Sequence, residues 1–126
     1  MSIPQILVVD DELVVKSIRR SLRAAYEIVG TSRASDAVAL LAGEDRYAAV
    51  VLDVDDARDR EAYAPLLGDE TRARKVIFLT SASDPRTEAF LVSAGRPWLA
   101  KPFATKDLEA ELRRVVAESK DAERKG

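Results

Sequence analysis

Short apolar runs alternate along the chain with segments in which apolar residues recur at helical spacing. Five runs are found, at residues 6–9, 26–29, 48–52, 76–79 and 98–100. Apart from the run at 26–29, which includes a glutamate, they are continuously apolar, which is typical of strands buried on both faces of a parallel sheet. The alternation of strand and helix predicts an α/β fold with helices on both faces of that sheet.

The segments between the runs predict helices at residues 13–23, 35–41 and 59–68, and two more that begin at Asp84-Pro85 and at Thr105. In the last segment, apolar residues recur at i, i+4 and i+7 from Leu108, so they share one face. Asp84 followed by Pro85 is typical of a helix start, because aspartate caps the helix and proline fits its first turn. Pro65 lies inside segment 59–68, where it opposes a continuous helix.

Length and composition narrow the classes of protein and of site. The 126 residues predict one domain over 1–126, with a charged tail from about Glu118. Cysteine and histidine are absent, which excludes disulfides, zinc sites and histidine catalysis and leaves oxygen ligands for any metal. The net charge of −2 gives no reason to expect nucleic-acid binding. Because neither a signal peptide nor a membrane span is recognisable, we expect a cytoplasmic protein without a membrane partner.

Polar side chains follow four of the predicted strands: Asp10 and Asp11 the first, Asp53 and Asp55 the third, Thr80 the fourth, and Lys101 the fifth. The carboxyl ends of parallel strands meet at one sheet edge, so we expect these side chains to surround one cleft. Carboxylates at close range raise one another's pKa unless a cation intervenes, and Mg²⁺ suits oxygen ligands. A carboxylate can attack phosphorus, and Mg²⁺, Lys101 and the Thr80 hydroxyl would then stabilise the phosphoryl oxygens.

Four motifs in order resemble the receiver domain of two-component response regulators, over essentially the whole chain. They are ILVVDDE at 6–12, VVLD at 50–53, VIFLT at 76–80 and LAKPF at 99–103. The resemblance implies a flavodoxin-like receiver fold, with a five-stranded parallel sheet in the order 2-1-3-4-5. It also implies a signalling phosphoacceptor rather than a turnover enzyme, with the phosphohistidine of a partner histidine kinase or phosphotransfer protein as donor.

The same resemblance assigns roles to individual residues. It makes Asp53 the phosphoacceptor. Mg²⁺ would be bound directly by Asp11, by Asp53 and by the backbone carbonyl of Asp55, and through water by Asp10. Two further roles follow from it. Thr80 and Lys101 would contact the phosphoryl group, with Thr80 and Trp98 as the switch pair, and the Lys101-Pro102 bond would be cis.

The sequence departs from the family pattern in three places. The usual Met-Pro and later Gly after the phosphoacceptor are missing from residues 54–61, which puts the third helix and its loop in question. Trp98 stands where tyrosine or phenylalanine is more common. Segment 95–98 is one residue shorter than usual, a form that resembles receivers attached to hybrid histidine kinases.

Other interpretations remain open at this point. Asp10 and Asp11 are also suited to cap a helix, and Trp98 is as well suited to cover the sheet end as to act as a switch. The sequence LDVDD at 52–56 resembles the nucleophile motif of haloacid-dehalogenase-type phosphatases, although that motif normally lies on the first strand. A third interpretation of the function is a pseudo-receiver, which has the fold but is not phosphorylated. Whether the chain forms a homodimer is also left open.

Overall fold

The sheet has five parallel strands, as the apolar runs predict. The structure is a computed structural model that describes residues 3–43, 46–81 and 83–125. Its strands are β1 (Gln5–Val9), β2 (Glu27–Thr31), β3 (Tyr47–Asp53), β4 (Val76–Thr80) and β5 (Trp98–Ala100). They are ordered β2-β1-β3-β4-β5, and every neighbouring pair is parallel. The predicted fold class and strand order are therefore confirmed.

The helices are α1 (Glu12–Leu22), α2 (Ala34–Gly43), α3 (Ala57–Ala62), α4 (Ala64–Leu67), α5 (Glu70–Ala73), α6 (Pro85–Ala94) and α7 (Thr105–Lys125). Asp84 caps α6 by accepting from the Thr87 backbone N–H, and Pro85 opens the helix, as predicted. Gly95 ends α6 in the left-handed conformation, with φ of 65°, which a glycine adopts without strain.

One prediction on the helices needs correction. The segment predicted as one helix at 59–68 is divided into α3 and α4, because Pro65 can lie in the first turn of a new helix but not inside a continuous one. The charged segment from Glu118, which the sequence marks as a tail, is helical, since α7 continues through it to Lys125. Ser119 is buried within this extension, so the first turn beyond Glu118 still packs on the domain.

A hydrophobic layer covers each face of the sheet. Val15 and Ile18 of α1 and Leu108 and Leu112 of α7 pack on one face. The opposite face is covered by α2, by the segment with α3 and α4, and by α6, through residues such as Tyr63. Inner residues of β1, β3 and β4 are almost completely buried. Within the described ranges, no helix combines the length and apolarity required to cross a membrane.

The strand register brings the predicted site residues to one edge of the sheet. Asp53 ends β3 opposite Leu79, and Thr80 ends β4 opposite Ala100. The backbone N–H of Lys101 donates to the Thr80 carbonyl at 2.8 Å, which extends the β4–β5 pairing by one residue. Because β1 and β3 are neighbours, Asp10 leaves the sheet beside Asp53.

Candidate functional site

Lys101 is the central cation of this sheet edge. Its Nζ lies 2.8 Å from Asp10 Oδ2, 3.6 Å from Asp53 Oδ1 and 3.9 Å from Asp55 Oδ2. The Asp10 side chain is only 1% exposed, so its contact with Lys101 is a buried ion pair. The structure therefore brings Asp10, Asp53, Asp55 and Lys101 together around one point, as expected from the strand ends.

The charges at this point do not balance, because three carboxylates surround one ammonium. The pKa of Asp53 is raised to about 6, mainly by burial and also by the negative charges of Asp10 and Asp55, against the opposing effects of the Asp55 N–H and Lys101. Burial alone would lower the pKa of Lys101, but the hydrogen bond with Asp10 and the charge of Asp53 raise it overall. A further cation beside Asp53 would therefore stabilise the ionised form of this carboxylate.

Asp11 faces the start of α1 in this structure. Its Oδ1 accepts from the Val14 backbone N–H at 3.0 Å, which makes it the N-cap of the helix. Its own N–H donates to Asp10 Oδ1 at 2.7 Å. Capping is thus one role of Asp11, and its role as a direct Mg²⁺ ligand stays a prediction.

The oxygen atoms of this sheet edge suit Mg²⁺ in kind, although in the part of the chain that the structure describes they are not arranged as a finished metal site. Within residues 3–43, 46–81 and 83–125, no three acidic side chains are arranged as a preformed metal cluster. The donor set nevertheless consists of oxygen atoms and carries surplus negative charge, which is the chemistry that a hard divalent cation requires. Asp10 and Asp53 fit such an ion best, because they leave neighbouring strands at the same edge.

The Asp55 side chain makes contacts that the sequence does not predict. Its carboxylate accepts hydrogen bonds from the Thr80 hydroxyl and from both the backbone N–H and the hydroxyl of Ser81. The Asp55 backbone N–H in turn donates to Asp53 Oδ1 at 3.1 Å. The strand ends placed Asp55 at the cleft and the resemblance gave a role to its backbone carbonyl, but neither indicated that its carboxylate would accept from Thr80 and Ser81.

Arg60 and Tyr63 support the loop that follows Asp53, where the family pattern is missing. The Arg60 guanidinium donates to the Val54 carbonyl at 2.8 Å and to the Thr87 hydroxyl at 3.1 Å, and so joins this loop to α6. The buried Tyr63 donates its hydroxyl to the Asp53 carbonyl at 3.3 Å. Both residues were missed from the sequence, because their spacing resembles that of any polar helix surface.

We expect Arg60→Met to destabilise the domain by about 1–3 kcal/mol, because the buried Val54 carbonyl loses a charged donor while the apolar stem is kept. Urea unfolding measures the change. Arg58→Met is the matched control, since Arg58 is exposed in the same helix. An Arg60→Met protein as stable as that control would contradict the supporting role.

Trp98 lies three residues before Lys101 and is not buried. It pairs with Phe78 across the β4–β5 ladder, and 50% of its surface is exposed. Thr80, its predicted switch partner, is only 2% exposed. The Lys101-Pro102 bond is cis, as predicted. A permanently inserted Trp98 is therefore excluded in this structure, whereas its switch role remains a prediction.

An apolar groove of about 520 Å³ opens beside Lys101, between α1 and the start of α7. Leu13, Val14, Ile18 and Phe103 contribute to its lining. Leu13 is 78% exposed, which is unusual for a leucine at the start of a packed helix. The groove therefore presents apolar surface directly next to the charged site.

Solved structures similar to this chain are receiver domains. The receiver domain of response regulator 1452 from Francisella superposes with a TM-score of 0.77 at 17% identity, over 92% of this chain and 98% of that one. That of sensor histidine kinase PA1611 from Pseudomonas aeruginosa, with a magnesium ion in its active-site cleft, matches with 0.73 at 26% identity, over 92% and 99%. The BeF3-activated receiver domain of DrrB matches with 0.71 at 27% identity, over 92% and 99%.

No sequence-family profile matches the chain, and no curated protein matches it. The strand order, the helices on both faces and the similar structures show that the chain has the fold of a receiver domain. This is the flavodoxin-like fold, with the strand order of CheY-like receivers.

Proposed function

We propose that this domain accepts a phosphoryl group on Asp53 from the phosphohistidine of a histidine kinase or phosphotransfer protein. The observation that carries the proposal is the position of Lys101, whose ammonium is fixed by the buried Asp10 and lies 3.6 Å from Asp53 Oδ1. A cation held in this way faces whatever group is attached to Asp53. The transfer serves as a signal and is not a multiple-turnover reaction.

In the proposed step, one Asp53 carboxylate oxygen attacks the phosphorus atom and forms an O–P bond. The N–P bond to the donor imidazole breaks, and its electron pair stays on that nitrogen, which leaves a neutral histidine after protonation from solvent. Lys101 balances the negative charge of the phosphoryl oxygens, and the Thr80 hydroxyl donates to one of them. The product on this chain is an aspartyl phosphate.

Magnesium fits this proposal as the cofactor. Asp10, Asp11, Asp53 and the Asp55 carbonyl would hold it, and it would neutralise charge shared between the carboxylates and the phosphoryl oxygens. Support comes from the surplus of carboxylates over ammonium at the site and from the magnesium ion in the PA1611 receiver.

The test is intact-mass spectrometry after incubation with Mg²⁺ and acetyl phosphate. We expect the wild type to gain the mass of one phosphoryl group and Asp53→Asn to gain none, because an amide is a poor nucleophile. Asp56→Asn is the control, since Asp56 is exposed and asparagine can replace it as the cap of α3. Attachment to Asp53→Asn would contradict the assignment, and repeated hydrolysis of a phosphomonoester would revive the phosphatase alternative.

The groove beside Lys101 is suited to bind a helix of the phosphodonor protein. Apolar side chains such as the exposed Leu13 and the partly buried Phe103 would bury against an amphipathic helix that carries the phosphohistidine. This position would present the phosphorus atom to Asp53 at the same edge of the sheet.

Trp98 provides a spectroscopic test of the switch. It is the only tryptophan, and its ring, which is half exposed here, would turn inward if Thr80 moved towards the phosphoryl group. We expect beryllofluoride with Mg²⁺ to shift Trp98 emission to shorter wavelength, as a ring leaving water should, and Thr80→Ala to abolish the shift. An unchanged wild-type spectrum at saturation, or a shift that persists in Thr80→Ala, would leave Trp98 as a packing residue.

A further inference from the structure

The Asp55 carboxylate occupies the donors that a phosphoryl group on Asp53 would need. Its Oδ1 accepts from the Thr80 hydroxyl at 2.5 Å and from the Ser81 backbone N–H at 2.9 Å, and its Oδ2 accepts from the Ser81 hydroxyl at 2.5 Å. Lys101 Nζ lies 3.9 Å from this Oδ2 and 3.6 Å from Asp53 Oδ1. One ammonium therefore faces both carboxylates.

Each of these donors has a single hydrogen to give. An ionised carboxylate only accepts, so the Thr80 hydroxyl and both Ser81 groups must direct their hydrogens at Asp55. Thr80 is 2% exposed, so water has almost no access to its hydroxyl. A phosphoryl oxygen can accept from this hydroxyl only after the hydrogen bond between Thr80 and Asp55 is broken.

Electrostatic repulsion also favours displacement of the Asp55 side chain. A phosphoryl group carries about 1.5 to 2 negative charges in place of the single carboxylate charge of Asp53, so the negative charge close to Asp55 increases, and like charges at this range repel. The Asp55 side chain is 25% exposed and lies at the edge of the sheet, so it has a route into water. Both the count of hydrogens and the repulsion require it to move when the phosphoryl group arrives.

We propose that the Asp55 side chain is an internal competitor for the phosphoryl-oxygen subsite of Asp53. It holds Thr80 and Ser81 in the unphosphorylated protein and leaves before they bind the phosphoryl oxygens. This inference rests on the proposed function and adds its regulation, because the competition sets how strong a phosphodonor must be to modify Asp53.

Beryllofluoride titration by calorimetry at saturating Mg²⁺ tests the competition in the full chain. We expect Asp55→Ala to bind beryllofluoride at least about tenfold more tightly than the wild type, which is what one charge-assisted hydrogen bond contributes. Asp55→Asn should lie between them, because its amide oxygen still accepts but carries no charge. Asp36→Ala, which removes the same charge from an exposed position in α2, should stay within about twofold of the wild type.

The outcomes separate this inference from the function on which it rests. A wild type that binds beryllofluoride, with Asp55 variants that bind no more tightly, would overturn the competition and leave the phosphoacceptor role intact. If no variant binds beryllofluoride and the wild type takes no phosphoryl group from acetyl phosphate, both fail. Mg²⁺ affinity is measured separately, and a gain confined to Mg²⁺ would also overturn the competition. Asp55→Asn keeps the side-chain shape and decides the question if Asp55→Ala does not fold.

Discussion

Lys101→Met is expected to lower the free energy of unfolding by about 3 kcal/mol in metal-free buffer at pH 7, which is at the lower end for removing one partner of a buried ion pair. The substitution keeps the apolar stem but leaves the buried Asp10 carboxylate, whose side chain is 1% exposed, without its cation. Asp53 and Asp55, both within 4 Å of the same Nζ, lose a neighbouring positive charge as well. Urea unfolding in EDTA measures the loss.

Two further variants distinguish the effect of the unpaired buried charge from other effects of removing a lysine. Lys101→Met combined with Asp10→Asn should recover most of the lost stability, because the buried carboxylate charge of Asp10 is removed together with its cation. Lys106→Met, an exposed lysine in the first turn of α7, should change stability by less than about 0.5 kcal/mol. If Lys101→Met matched Lys106→Met, the ion pair would have no structural importance.

The strands were predictable because parallel strands buried on both faces need continuous apolar sequence. The exception is instructive, since the run at 26–29 appears in the structure as Glu27–Thr31. Glycine is uncommon in strands, which hides the continuation of the strand through Gly30 to Thr31, but both residues belong to β2 because they pair with Val8 and Val9 of β1. Pairing partners define strand ends, and a single sequence does not contain that information.

The meeting of Asp10, Asp53, Thr80 and Lys101 was predictable because each follows a strand of one parallel sheet. The contacts of Asp55 and Arg60 were not, since they depend on the path of the loop after Asp53, where the sequence leaves the family pattern. Side-chain direction in a loop is decided by the donors that come within reach, here those at the end of β4. The competition at Asp55 is therefore visible only in the structure.

Asp53 is expected to be a source of instability in the metal-free protein. Its pKa is about 6 in the folded state against 3.8 for an ordinary aspartate, so the folded protein binds more protons than the unfolded chain between these values. Stability must then fall as the pH rises through this window, and it stays low above it. A difference of about two pH units corresponds to about 3 kcal/mol at neutral pH.

Asp53→Asn should consequently be more stable than the wild type by about 2–3 kcal/mol at pH 7.5 in EDTA, because the amide fills the same space without the buried charge. The advantage should shrink as the pH falls through 6 and vanish below about pH 4, where the wild-type Asp53 is protonated in both states. Chemical unfolding at pH 3.5, 5, 6 and 7.5 traces the difference, with Asp56→Asn as the exposed control. Adding Mg²⁺ at pH 7.5 should narrow the gap by stabilising only the wild type, since a bound cation offsets the charge that asparagine lacks. A gap that stays constant from pH 3.5 to 7.5, or an Asp53→Asn protein that is less stable at pH 7.5, would contradict the raised pKa of Asp53.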